Sequence, residues 1–105
     1  MDAKISSAIG KYIAMVAKQN PDLAAAYLFG SYAKNNEHQE SDIDIALVIN
    51  NLNDSDKFDI QVQLMLLASK FDSRIEPHPL SKQDLLLNNP LIAEIKRTGI
   101  EIKIK

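Results

Sequence analysis

Residues 30–49 of this 105-residue chain read GSYAKNNEHQESDIDIALVI. The final IDIALVI is rich in β-branched residues and has the length of a buried strand. Gly30 follows the apolar run LAAAYLF, whose length and aromatic end also favour a strand over a helix. We therefore expect two buried strands, Leu23–Phe29 and Ile43–Ile49, joined by a polar segment that begins at Gly30.

The rest of the chain alternates between helical and strand patterns. The predicted helices cover 3–19, 31–36 (one turn or two), 56–71, 81–87 and 90–98, and further strands cover 74–78 and 100–105. Asp54 or Ser55 is the expected N-cap of the third helix, whose two apolar stripes we expect to be covered. Pro77 and Pro79 restrict the strand at 74–78 to a sheet edge or end. This order predicts one α/β (α+β) domain spanning 1–105, with helices packed on a central sheet.

Composition excludes several classes of protein. The chain has no cysteine, which excludes disulfide scaffolds and cysteine nucleophiles and is compatible with a reducing cytoplasm. Twelve basic and 14 acidic residues give a net charge of -2, which disfavours general nucleic-acid binding. The amino-terminal region has no secretory-signal pattern, and no apolar run is long enough to span a membrane.

Two short motifs in residues 30–49 suggest phosphate and metal chemistry. Gly30 allows close backbone approach, and the Ser31 hydroxyl with neighbouring N–H groups suits a phosphate. Asp42 and Asp44 stand two apart at the start of a strand, so their carboxylates share a face. Such a pair favours a hard divalent ion such as Mg²⁺, although an isolated Asp-x-Asp is more often a solvated strand start.

A third carboxylate, Glu76, lies in a later strand among apolar residues and prolines. It is either an exposed edge-strand glutamate or a metal ligand and base, and with the other two carboxylates present we favour the second role. His78 shares its strand face if the strand is regular, but we favour an ordinary strand-edge histidine. His38 is expected to be exposed in a polar loop, and two histidines alone do not make a zinc site.

Gly30-Ser31, ten intervening residues, Asp42-x-Asp44 and a later carboxylate strand with Glu76 strongly resemble nucleotidyltransferases of the DNA polymerase beta type. More narrowly, the chain is similar to the minimal nucleotidyltransferase (MNT) proteins, over nearly its whole length. The resemblance implies the nucleotidyltransferase fold, a small mixed central β-sheet flanked by helices.

The resemblance also implies an activity: transfer of a nucleoside monophosphate, most simply AMP from ATP, to a hydroxyl with release of pyrophosphate. By resemblance, Gly30 and Ser31 would hold the β- and γ-phosphates, Asp42 and Asp44 would bind two Mg²⁺ ions, and Glu76 would join the catalytic one. MNT proteins commonly pair with a HEPN-domain toxin and are similar to enzymes that attach AMP to a tyrosine of that toxin. The chain resembles a transfer core without an acceptor-holding domain, which favours a protein acceptor.

Two departures from the family pattern bear on this interpretation. Lys34-Asn35 stands where many relatives have Arg-Gly, so Lys34 would contact a phosphate only as a point charge. Glu76 stands where the third acid is usually aspartate, and a misplaced Glu76 would leave nucleotide binding with weak catalysis. One alternative is therefore a binding module that neutralises its partner by contact alone. A second is a transferase for a small hydroxyl compound such as an aminoglycoside.

The remaining polar residues near these motifs receive simpler interpretations. Tyr32 is expected to pack in the core, and Ser31 has no evident base partner for a hydrolytic triad. Arg74 and Lys82 are surface charges or phosphate contacts, with nothing in the sequence to decide between them. The strand at 100–105 leaves homo- or hetero-oligomeric assembly through a sheet edge open, although Lys103 and Lys105 protect such an edge.

Overall fold

The computed structural model describes residues 2–34 and 41–104. Its helices and strands, in chain order, are α1 (Ala3–Gln19), β1 (Leu23–Phe29), β2 (Ile43–Ile49), α2 (Lys57–Ala68), β3 (Ile75–Leu80), α3 (Pro90–Thr98) and β4 (Ile100–Ile102). Two short 3₁₀ helices, Asp54–Asp56 and Gln83–Leu86, precede α2 and α3. The predicted strands and the three longer helices are all present, and only α2, β3 and β4 have ends that differ from the predicted ones by a few residues.

The four strands form one mixed sheet in the order β3-β2-β1-β4. β1 pairs antiparallel with β2 and with β4, whereas β2 and β3 are parallel. This sheet and its flanking helices confirm the predicted fold class. β3 lies at an edge of the sheet, as its two prolines predicted, because a proline has no N–H to donate to a neighbouring strand.

One face of the sheet is covered by α1 and α2. The alternate residues of β2 that point to this face pack with the buried face of α1 in the main hydrophobic cluster, which includes Ile43, Ile45, Leu47, Ile9, Ile13 and Val16. Tyr12 is fully buried here, and its hydroxyl donates a hydrogen bond of 2.9 Å to the backbone carbonyl of Leu64 in α2. Burial raises the pKa of Tyr12, so this hydroxyl stays protonated and keeps α1 joined to α2.

The opposite face of the sheet is covered by α3. Phe29, Ala46 and Leu80 pack there with Ile92 and Ile95 in a second, smaller cluster. Because side chains alternate along a strand, Asp44 shares this face with Ala46 in β2, and the even-numbered residues of β3 share it with Leu80. The polar residues at the beginning of β2 and β3 therefore lie on the α3 side of the sheet.

Helix ends follow the predicted capping signals in two places. The Asn89 side chain accepts a hydrogen bond of 3.0 Å from the Ile92 N–H at the start of α3, directly before Pro90. Before the second 3₁₀ helix, the Ser81 hydroxyl accepts from the Asp84 N–H and the Asp84 carboxylate accepts from the Ser81 N–H. The predicted short helix at 81–87 is thus a 3₁₀ helix with a capping box.

One local prediction holds and one is wrong. Residues 31–34 form a turn, closed by a hydrogen bond of 3.1 Å from the Lys34 N–H to the Gly30 carbonyl, which is the bond of a single helical turn, as expected; positions 35 and 36 lie outside the described residues. At the start of α2 the N-cap is Asp56 rather than Asp54 or Ser55, and its side chain makes no capping hydrogen bond.

The expectation that α2 is covered around its wide apolar face is also wrong. Leu64 and Ala68 are buried, but an apolar stripe on another side of the helix is exposed: Phe58 is 77%, Val62 38%, Met65 46% and Leu66 65% exposed. We call these four residues the α2 stripe. α2 packs against β3, which is the edge of a four-stranded sheet, so the described elements cover only part of its circumference. No described helix is long and apolar enough to cross a membrane.

Candidate active site

Strand pairing brings the carboxylates of Asp44 and Glu76 together. In the parallel β2–β3 pair, Asp44 lies directly opposite Glu76, and in the antiparallel β1–β2 pair it lies opposite Phe29. Gly30, which follows Phe29, is therefore next to the same point of the sheet. Three chain segments that are distant in sequence meet at the beginning of β2.

His78 joins these carboxylates from the same face of β3. Its Nε2 lies 3.2 Å from Asp44 Oδ1 and 3.9 Å from Glu76 Oε1. The three residues each offer a metal-ligating atom, and these atoms lie within 4.8 Å of one another. The imidazole is packed against Phe29, with ring centroids 5.1 Å apart. His78 lies in the edge strand, as expected, and it shares with Glu76 the face that Asp44 also occupies, a contact that the sequence did not predict.

The surroundings of Glu76 disfavour the ionised form of its carboxyl group. Burial, a hydrogen bond with Asp44 and the negative charge of Asp42 raise the pKa of Glu76 above its ordinary value, and the nearby His78 acts in the opposite direction. Negative charges crowded together in this way are stabilised by a cation placed among them. The donor set, carboxylate oxygens with one imidazole nitrogen, fits a divalent metal ion.

Gly30 is required where it stands for two reasons. Its φ of 78° lies in the left-handed region of backbone conformation, which residues with a side chain rarely adopt. A Cβ at this position would also lie 2.7 Å from Asp44 Oδ2. The turn after β1 therefore presses the backbone directly against the Asp44 carboxylate. This contact explains physically why a glycine and an aspartate of the two sequence motifs occur together.

The family of the chain can be stated from a comparison with protein-family models. Residues 11–105 match the model described as polymerase beta, nucleotidyltransferase. The chain belongs to this nucleotidyltransferase family. No curated protein matches the sequence well enough to count as a relative.

Solved structures that share the fold of this nucleotidyltransferase include toxin–antitoxin complexes. A toxin–antitoxin structure with AMP-PNP has a chain that is 26% identical, with a TM-score of 0.59 over 88% of this chain and 70% of that one. A tri-AMPylated HEPN toxin of Shewanella oneidensis in complex with MNT antitoxin is 24% identical, with a TM-score of 0.58 over 91% and 69%. A mutant of the MntA–HpeT toxin–antitoxin, changed at two aspartates separated by one residue, is 24% identical, with a TM-score of 0.58 over 88% and 70%.

The other predicted site residues of the nucleotidyltransferase lie in the turn after β1 and directly before β2. Asp42 is exposed two residues before Asp44, and Ser31 is half-buried in the turn after Gly30. The Lys34 ammonium pairs with Glu94 of α3 at 3.2 Å, and Glu94 also pairs with Arg97. The roles of these residues in nucleotide binding stay predictions.

Two residues near the site, Tyr32 and Arg74, contact each other. Tyr32 is buried in the main cluster, as expected, and its hydroxyl accepts a hydrogen bond of 3.2 Å from Arg74. The Arg74 guanidinium also forms an ion pair with Asp72 at 2.6 Å. Lys82 is exposed, and His38 lies outside the described residues.

Two contacts of the site could not be found by sequence reasoning. The Lys34–Glu94 pair and a hydrogen bond of 3.4 Å from the Gly30 N–H to the Thr98 hydroxyl both join the turn to α3, more than 50 residues later in the chain. No spacing rule connects residues so far apart. His78 did have a signal, since it follows Glu76 by two residues.

The cluster lies on an open sheet face beside α3. A surface groove of about 610 Å³ runs elsewhere, between α1 and the end of α2, and is lined by residues such as Lys4, Lys11 and Phe71. None of the site residues lines that groove. We therefore assign the chemistry to the carboxylate cluster rather than to the groove.

Proposed function

We propose that this chain is a Mg²⁺-dependent nucleotidyltransferase that transfers AMP from ATP to a hydroxyl of a partner protein, and that the partner is a HEPN-domain toxin. The observation that carries the proposal is the meeting of Asp44 and Glu76 against Gly30, in a chain of the nucleotidyltransferase family. In this proposal the protein is the antitoxin of the pair and acts in the cytoplasm, where ATP and Mg²⁺ are available.

The proposed metal ligands are the carboxylates of Asp42, Asp44 and Glu76. Asp44 and Glu76 are directly opposite each other in the sheet, and the negative charge of Asp42 contributes to the raised pKa of Glu76. When bound, a pair of Mg²⁺ ions neutralises phosphate charge and stabilises the attacking and leaving oxygens. The protein's own contribution is to hold its carboxylates rigidly at the beginning of two buried strands.

The turn after β1 is the proposed binding site for the triphosphate. Gly30 has no side chain, so a phosphate can approach the backbone here, and Ser31 adds a hydroxyl donor. Lys34 follows in the same turn and would exchange its pairing with Glu94 for a phosphate oxygen. These groups would orient the triphosphate so that its α-phosphorus faces the carboxylate cluster.

Glu76 is the proposed base for the acceptor hydroxyl. Its side chain is 45% exposed, so an incoming hydroxyl can reach it. The hydroxyl oxygen forms a bond to the α-phosphorus, the bond from that phosphorus to the bridging oxygen breaks, and pyrophosphate leaves. The hydroxyl proton passes to Glu76.

Support for a HEPN partner comes from the structural neighbours. One has a tri-AMPylated HEPN toxin in complex with MNT antitoxin, and another is a toxin–antitoxin with AMP-PNP. A protein acceptor also suits an open sheet face, because the partner itself would cover the site during transfer.

The direct test is to incubate the chain with Mg²⁺, a HEPN-domain partner and ATP labelled either at the α-phosphate or at the γ-phosphate. We expect the partner to acquire the α-label and not the γ-label, with pyrophosphate as the second product. Intact-mass measurement should show one or more AMP additions. Transfer of the γ-label would indicate a phosphoryl transferase, and absence of both labels would contradict the enzymatic proposal.

The α2 stripe favours a second candidate function, a module that neutralises a HEPN partner by contact. Four large apolar side chains are exposed along one helix at spacings that place them on one side: Phe58, Val62, Met65 and Leu66. A monomeric protein rarely exposes such a set together. The same stripe would serve an enzyme that must hold its protein acceptor.

Substitution of Leu66 by lysine tests the role of the α2 stripe in binding. We expect at least about tenfold weaker binding to the HEPN partner by calorimetry, since a buried leucine contributes roughly 1.5–3 kcal/mol. Ile100→Lys is the matched control, because Ile100 is 51% exposed but lies in β4, at the sheet edge opposite to β3. Equal affinities for the two variants, or loss of self-association by Leu66→Lys with unchanged partner binding, would contradict this role.

A further inference from the structure

We propose that His78 is a metal ligand, and that with Asp44 and Glu76 it forms a mixed nitrogen and oxygen site that prefers first-row transition-metal dications to Mg²⁺. This inference deepens the proposed function, on whose carboxylate site it rests, by naming the class of metal that this chain selects. It starts from the position of the imidazole.

The Nε2 atom of His78 is directed at both carboxylates. It lies 3.2 Å from an Asp44 oxygen and 3.9 Å from a Glu76 oxygen, and all three ligand atoms fall within 4.8 Å of one another. A single ion placed among them would be in reach of one atom from each residue after small side-chain adjustments. Asp44 and Glu76 alone would offer only carboxylate oxygens.

The sheet holds the imidazole in this position. The residue opposite His78 in β2 is Ala46, whose side chain is small and buried. The His78 ring packs against Phe29, 5.1 Å away between centroids. The His78 side chain is only 24% exposed, so its direction is set by packing rather than by free rotation in solvent.

Ligand chemistry determines which metals this arrangement favours. Mg²⁺ is a hard ion that binds oxygen and keeps several waters, so a nearby imidazole adds little to its affinity. For sites with nitrogen and oxygen ligands, affinity rises from Mn²⁺ through Fe²⁺ to Co²⁺ and beyond. A site in which one ligand is His78 should therefore bind Co²⁺ more tightly than Mn²⁺, and Mn²⁺ more tightly than Mg²⁺.

A purely positioning role is the competing interpretation of His78. In that case the imidazole only orients the Asp44 carboxylate through a hydrogen bond, and the metal would contact oxygen atoms alone. Removal of the imidazole would then weaken the binding of every divalent ion to a similar extent. The two interpretations are separated by selectivity among metals, not by the size of any single loss.

The experiment measures binding of Co²⁺, Mn²⁺ and Mg²⁺ by calorimetry, without nucleotide, to the metal-free chain and to the variants His78→Ala and His78→Gln. Loss of even an outer partner of a metal ligand costs about 10- to 100-fold in affinity, so we expect at least about tenfold weaker Co²⁺ binding. The loss for Mn²⁺ should be smaller, and Mg²⁺ affinity should change less than about twofold, in line with the affinity order. Thermal unfolding in chelator checks that each variant is folded.

Three results would overturn the proposal: a wild-type chain with no preference for Co²⁺ or Mn²⁺ over Mg²⁺, equal losses for all three ions in the variants, or unchanged Co²⁺ binding in them. The wild-type measurement applies even if a variant does not fold. Because these readouts need no ATP and no partner, they are independent of the labelling test. Selectivity that depends on His78 without AMP transfer would contradict only the proposed function, and AMP transfer without that selectivity would contradict only the role of His78.

Discussion

The variant Asp44→Asn is expected to lose AMP transfer by about 10³-fold or more, because metal ions stabilise the transition state by several kcal/mol and each 1.36 kcal/mol is a tenfold change in rate. Asp44 is the residue that all other parts of the cluster contact: it lies opposite Glu76, 3.2 Å from His78 and against Gly30. Asparagine keeps the size of the side chain and one oxygen. The measurement is the initial rate of α-label transfer to the partner.

The stability of the same variant separates a loss of chemistry from a loss of structure. Without metal, Asp44 contributes to the crowding of negative charge that raises the pKa of Glu76. Removing its charge should therefore leave the thermal unfolding midpoint in chelator unchanged or higher. A midpoint lowered by many degrees would mean that the activity loss reports misfolding.

A matched aspartate elsewhere provides the control for this prediction. Asp22 is exposed just before β1, at the opposite end of that strand from Gly30. We expect Asp22→Asn to transfer the label at the wild-type rate. The companion variant Asp42→Asn should be impaired like Asp44→Asn if both aspartates bind metal. Partner neutralisation that survives both substitutions, with no label transferred, would contradict the enzymatic account and favour neutralisation by contact.

The sequence was sufficient to predict the strands that form the site, because the residues that mark the ends of each strand lie within or next to it. β1 and β2 begin and end at the predicted residues because short apolar runs are bounded by turn-forming residues, including Gly30. Two prolines also placed β3 correctly at an edge of the sheet. Local rules of this kind need no knowledge of the tertiary structure.

The pairing of strands is not available from such rules. Asp44 lies beside Glu76 only because β2 and β3 are parallel neighbours in one register, and a shift by one residue would point Glu76 to the other face. Periodicity predicted that Asp42 and Asp44 share a face, but the position of Glu76 beside them depends on the pairing of β2 with β3. For His78 the decisive facts are the small Ala46 opposite to it and the Phe29 ring beside it. Both are tertiary contacts.

The same limit explains the exposed α2 stripe. An apolar pattern shows which side chains of a helix avoid water but not whether another element is present to cover them. The stripe of α2 that includes Leu64 meets the core, whereas the stripe that includes Leu66 is exposed. An apolar face that the described residues leave uncovered is what a surface for a partner protein requires.

Substitution of Gly30 by alanine is expected to reduce AMP transfer by about 10²-fold, the effect of a misplacement of about 1 Å in a catalytic site. The new Cβ would lie 2.7 Å from Asp44 Oδ2, which is closer than such contacts occur in proteins, so either the turn or the Asp44 carboxylate must move. The left-handed φ of 78° adds a backbone cost of roughly 1–2 kcal/mol. The rate of AMP transfer and the affinity for Co²⁺ should both fall, because both depend on the Asp44 carboxylate that is displaced.

Gly10→Ala is the control that isolates the position of the glycine from the substitution itself. Gly10 lies within α1, and a Cβ there would meet no atom within 4 Å. Alanine should stabilise this helix by about 0.5–1 kcal/mol and leave transfer unchanged. If Gly30→Ala is destabilised by its backbone strain but transfers AMP at the wild-type rate, the contact between Gly30 and Asp44 has no role in catalysis. A large loss of transfer with only the small loss of stability would instead show that the empty space at Gly30 is needed to hold the Asp44 carboxylate in place.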